Sequence, residues 1–206
     1  MVSLTLLSTL LLSTGVFSER PEPHAPPDIP TTETAKTLLD QLVVAPQGPA
    51  DGFDDDLFPL WDPVVENCNA REEVLRRDGI DVVVNKACAP VSGIWYSPYD
   101  GINSTFPLDV EIDEMVPLLN AWRSGASEWT TQEREKLAND LNEPQLWVVT
   151  DDIHEEKEDS EEAFWKPPLV SFHCTYAKSW TKVKSAYNLT ITDEEKEALA
   201  SMLDTC

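Results

Sequence analysis

The residues of this 206-residue chain best equipped for chemistry are carboxylates gathered in two places. Asp109, Glu111, Asp113 and Glu114 stand close together, and the run 151–162 holds eight acids among twelve residues, with His154 and Lys157 between them. Carboxylates accept protons and hold hard cations through oxygen. A carboxylate is a weak general base unless burial or a neighbouring like charge raises its pKa, and Glu114 has Asp113 beside it. Asp113 and His154 together offer an oxygen and an imidazole nitrogen to a divalent ion. If the two acidic clusters converge, they make an oxygen-rich, calcium-like site. The plainer readings are a solvated strand at 111, 113 and 114 and a solvated helix face at 151–162. His173, beside Cys174, reads as a packed or surface histidine, and His24 as an inert linker residue.

The elements that must position these groups alternate in type. Val110 and Ile112 alternate with Asp109, Glu111 and Asp113, which predicts a half-buried strand with acids along one face. A second strand is expected at 145–150, after Asn142-Glu143-Pro144. Helices are expected at 32–43, from Asn69 to a stop at Gly79, at 118–122, and from the Thr130/Glu133 capping box to about 141. Two more close the chain, the first striped by Phe172, Tyr176, Trp180, Val183 and Tyr187, the second capped by Thr192 with Glu195. Strands are expected at 80–84 and from Gly93 into the turn Ser97-Pro98-Tyr99-Asp100-Gly101. Leu57-Phe58-Pro59-Leu60-Trp61 reads as an apolar anchor. The fold class is α+β.

The compartment follows from the start of the chain and from its cysteines. Residues 1–18 form an uncharged apolar segment ending Val16-Phe17-Ser18, too short to span a bilayer and suited to a secretory signal. Residues 19–31, rich in proline, read as an extended linker, and 32–206 as one domain. No later apolar run is long enough for a membrane span. In an oxidising compartment Cys68, Cys88, Cys174 and Cys206 pair, and Cys68–Cys88 with Cys174–Cys206 closes the shortest loops among three connectivities. Such loops are worth roughly 3 kcal/mol each in the chain-entropy account. Asn103-Ser104-Thr105 and Asn188-Leu189-Thr190 are glycosylation sequons. A net charge of −23 repels polyanions, so nucleic acid is a disfavoured partner. The same charge serves solubility.

Several segments together resemble a known family. Cys68-Asn69-Ala70-Arg71-Glu72-Glu73-Val74-Leu75, Ser97-Pro98-Tyr99-Asp100-Gly101, Ile112-Asp113-Glu114-Met115-Val116-Pro117-Leu118 and Asn120-Ala121-Trp122-Arg123-Ser124-Gly125-Ala126 are similar, in order, to secreted HNH nucleases related to the GmrSD restriction endonuclease C-terminal domain. So are Ala138-Asn139-Asp140-Leu141, Val149-Thr150-Asp151, Trp165-Lys166-Pro167-Pro168 and Cys174-Thr175-Tyr176-Ala177-Lys178. The resemblance implies a ββα-metal core elaborated with additional helices and a C-terminal helical hairpin. It also implies phosphodiester hydrolysis, in which a strand histidine activates water beside an Asp that holds a metal.

Against that pattern Asp113 keeps the metal position, and Glu114 stands where the histidine belongs. Glu143 takes the place of the orienting asparagine. The metal helix, Asn-x-x-Lys-Gly in the family, reads His154-Glu155-Glu156-Lys157-Glu158 and keeps only Lys157. The expectation is a secreted protein whose catalytic positions Glu114, Glu143 and Lys157 are vestigial and which acts on an extracellular or host protein. One rival is an active nuclease using Mg, Mn, Zn or Ca at Asp113 and His154. The other is a divalent-cation binding module.

Overall fold

The computed structural model describes residues 25–61, 63–65 and 67–206, so the signal segment and His24 lie outside the described residues. Its centre is a hairpin. Strand β6 (Val110–Glu114) pairs antiparallel with β7 (Leu146–Thr150) in unbroken register, with Asp113 opposite Trp147 and Glu114 opposite Leu146. Helix α5 (Asp151–Lys157) follows β7 without a loop. The molecule is mixed α+β, as expected, with two-, three- and two-stranded sheets among the described residues.

The hairpin is covered on both faces. Val110, Ile112, Leu146 and Val148 meet Val74 and Leu75 of α2 (Ala70–Asp78) and Trp95 of β4 (Pro90–Tyr96). Trp147 and Val149 join a larger core with Tyr99, Phe172, Tyr176 and Trp180. Full burial of each large apolar side chain is worth about 1.5–3 kcal/mol. The plainer reading of a solvated strand holds for Asp109, which is exposed, but not for Asp113, only 2 % exposed because the second core closes over it.

Local chemistry explains why the helices start where they do. Asn69 and Glu72 form a reciprocal capping box at α2, and Thr130 with Glu133 does the same for α4 (Thr131–Ala138). Helix α4 stops earlier than expected, since the Asn139 amide is held by Pro59 O at 2.7 Å and by Trp61 N at 2.9 Å. Helix α2 ends at Gly79, where a Cβ would lie 2.5 Å from Trp95 Nε1. That indole donates to Leu75 O at 2.8 Å, so the helix end sits directly on β4.

Strands β1 (Pro63–Val65) and β2 (Cys68–Asn69) form a short ribbon before α2, and β3 (Ile80–Val84), β4 and β5 (Asn103–Ser104) form the three-stranded sheet. Cys68–Cys88 staples the ribbon to the β3–β4 turn.

Helix α3 (Leu118–Arg123) follows the strand β6 and leads to α4. Helices α6 (His173–Ala186) and α7 (Asp193–Leu203) form a hairpin closed by Cys174–Cys206, and α1 (Thr32–Gln41) packs on both. Both bridges pair as expected. The described part of the 19–31 segment is not a free linker: Pro26 is buried, Asp28 lies 2.7 Å from Lys182, and Ile29 packs on the core.

Candidate functional site

Asp113, next to last in β6, has both carboxylate oxygens engaged. Lys157, from the last turn of α5, donates to Oδ1 at 2.8 Å, and the Tyr99 hydroxyl donates to Oδ2 at 2.6 Å. The same ammonium donates to the Glu114 carbonyl at 2.9 Å. Asp113, Lys157 and Tyr99 are all buried, which makes the ammonium–carboxylate attraction far stronger than it would be in water. Tyr99 reaches this point from the turn after β4, wedged among the rings of Trp165, Phe172 and Tyr176 at 5.5–5.6 Å. Burial, then the Asp113 charge, holds its phenol well above the usual tyrosine range.

Glu114 lines a pocket of about 320 Å³ with Asp55, Asp113, His154, Lys157 and Asp159. Burial, with the Asp113 charge next to it, pushes its carboxyl up to about 8, even though Lys157 pulls the other way. Glu114 is therefore mostly a neutral acid at neutral pH. Asp159 is also raised, by burial and by Asp55 across the pocket. The loop after β6 is fixed by Gln145, whose amide bonds both the Val116 N–H at 3.1 Å and the Val116 carbonyl at 2.9 Å.

The hairpin and α5 thus bring Asp113, Glu114, His154 and Lys157 together. Glu143 is not among them: its carboxylate faces Lys182 at 3.2 Å, away from the pocket. Three residues that matter here carried no role in the sequence reading, Tyr99, Gln145 and Asp55, and Asp159 figured only as one acid of the run 151–162. Tyr99 stands in the segment Ser97-Pro98-Tyr99-Asp100-Gly101 of the family resemblance, but nothing there names a partner for its hydroxyl.

A divalent ion at Asp113 is not supported by this donor set. His154 Nε2 is 3.9 Å from Asp113 Oδ1, both Asp113 oxygens already hold donors, and a buried ammonium occupies the cation's place. Among the described residues, the group of three potential ligands that comes close enough is Cys68, Glu73 and Cys88, whose sulfurs are spent in a disulfide.

The acidic run is a solvated face as far as Asp159, with Asp151, Asp152, Glu155, Glu156, Glu158 and Asp159 exposed, but its last two acids turn inward. Glu161 and Glu162 are buried with Glu195 near Lys184 of α6, whose ammonium donates to Ser124 Oγ at 3.1 Å and Thr190 O at 2.9 Å and lies 3.2 Å from Glu195. Asn120 of α3 donates to Glu161 at 3.2 Å and to Glu195 at 3.3 Å. Among the described residues neither oxygen of Glu162 has a hydrogen-bond partner, and burial holds its carboxyl well above the ordinary range. His173, as expected, is a packed residue, its Nε2 2.8 Å from Pro167 O.

No helix among the described residues is long and apolar enough to cross a membrane. No family model matches the chain. No solved structure matches it. The chain is similar to a protein of Arthroderma benhamiae described as an uncharacterized secreted protein, 52 % identical over 202 residues that cover 98 % of each chain.

Proposed function

The chain belongs to the family of that secreted Arthroderma benhamiae protein, and we propose that this secreted chain is a catalytically altered relative of the HNH nucleases that acts by recognising an extracellular or host protein. The order β6–β7–α5, with Asp113 and Glu114 at the end of the first strand and His154 and Lys157 on the helix, supports the kinship. The observation that carries the altered chemistry is Glu114, which lines the pocket beside Asp113 where the resemblance puts the histidine. Both Asp113 oxygens already hold donors, from Lys157 and Tyr99, whereas phosphodiester hydrolysis needs a cation with open positions for water and phosphate.

Two further features point the same way. A carboxyl that titrates near 8 holds its proton when a general base must be without one. Asp55, Glu158 and Asp159 line the same pocket and repel a phosphodiester, so the charge favours a basic partner. The test is incubation of the purified protein with DNA and RNA in Mg, Mn, Zn and Ca. Cleavage no greater than that of Asp113→Ala is expected. Metal-stimulated cleavage that disappears in Asp113→Ala would overturn the reading.

A further inference from the structure

We propose that Asn103 carries an N-linked glycan whose first sugars lie in the depression beside it. Asn103-Ser104-Thr105 is a sequon, and the protein travels the secretory route where sequons meet their donor. Asn103 opens the edge strand β5 opposite Tyr96 and is exposed, as is Thr105. Ser104 Oγ accepts from Phe106 N at 3.2 Å and donates to Phe106 O at 3.1 Å, which folds the chain back just after the sequon. Beside it is a depression of about 480 Å³, lined by Asn103, Ile102, Thr105, Leu108, Asp151 and Asp152.

That lining has the two kinds of surface a sugar ring offers in return. Ile102 and Leu108 are 54 % and 72 % exposed, apolar groups left in water that the C–H face of a pyranose covers. The Thr105 hydroxyl and the carboxylates of Asp151 and Asp152 accept hydrogen bonds from sugar hydroxyls. Asn188, of the second sequon, is equally exposed, but its neighbours turn inward: Leu189 is buried, and Thr190 Oγ1 donates to Ser124 O at 3.3 Å.

The modification itself is an amide alkylation with a balanced exchange of bonds. Asn103 Nδ2 attacks C1 of an oligosaccharide carried on a polyprenyl diphosphate. The N–C1 bond forms, the C1–O bond breaks, the diphosphate leaves with the electron pair, and one amide proton is released.

The experiment uses the full chain secreted from a eukaryotic host. The peptide containing Asn103 is expected to carry a sugar mass that peptide:N-glycosidase removes, and both Asn103→Gln and Thr105→Ala lose it. Enzymatic removal from the folded protein is expected to speed amide exchange several-fold at 102–109 and 150–152, with the rest of the chain unchanged. An unmodified Asn103 peptide overturns the proposal. So does a glycan whose removal leaves exchange in those two segments unaltered.

Discussion

The Lys157 ammonium lies 2.8 Å from Asp113, and both side chains are buried. Replacing one member alone strands the other. Lys157→Met is expected to cost about 3–5 kcal/mol in urea unfolding, because Asp113 remains buried with only the Tyr99 hydroxyl. Lys157→Met combined with Asp113→Asn is expected to recover much of that loss, and a double-mutant cycle with additive losses would contradict the pairing. Glu114 makes a separate, titratable contribution. Its folded-state pKa is raised from 4.5 to about 8, so the stability it lends is fully present below 4.5 and drains away as pH climbs through 8. Glu114→Gln is expected to flatten the fall in Tm across that window. A fall as steep as that of the parent protein would assign the titration elsewhere. At this scale the sequence was a partial guide. It named Asp113, Glu114, His154 and Lys157 through the acid clusters and the family resemblance, although 44 residues separate Lys157 from Asp113. Tyr99 could not be named, since only the packed core decides which tyrosine meets Asp113.

Elements whose signals are local were the readable ones. The boxes at Asn69/Glu72, Thr130/Glu133 and Thr192/Glu195 mark helix starts by hydrogen bonds spanning three residues, and those starts fall where the pattern put them. The two-residue strands β2 and β5 have no such signal, because partners elsewhere in the chain define them. The acids at 161 and 162 misled for the same reason, since a polar run reads as solvated until Lys184 and Glu195 close over it. The α6–α7 hairpin gives a prediction of its own. Cys174→Ser with Cys206→Ser opens a loop of sequence separation 32 and is expected to lower stability by about 3 kcal/mol in denaturant. The burial of Glu195 at the start of α7 should keep the helix docked, so far-ultraviolet circular dichroism is expected to stay unchanged. Loss of helix signal in the folded variant would show that the bridge, not packing, places α7.

Taken as a whole, the molecule holds protons that its unfolded chain would release. Glu114, Asp159, Glu161 and Glu162 are all raised by burial, whereas Lys184, lowered by burial, pulls the other way. Four raised carboxyls against Lys184 and the exposed Glu133, lowered by its Thr130 hydrogen bonds, set the net direction: stability is greatest on the acid side and declines as pH rises. A net charge of −23 adds self-repulsion in the same direction. Thermal unfolding is expected at a higher Tm near pH 5 than near pH 9, with added salt raising Tm most at the alkaline end, where about 10 Å of screening length at 0.1 M salt relieves crowded acids. A Tm that rises with pH would refute this balance.

The placement of the two cystine links also bears on how the polypeptide is made. Each joins cysteines that are consecutive along the chain, so during vectorial export the first couple has emerged before the second. Pairing in order of arrival already yields the native connectivity.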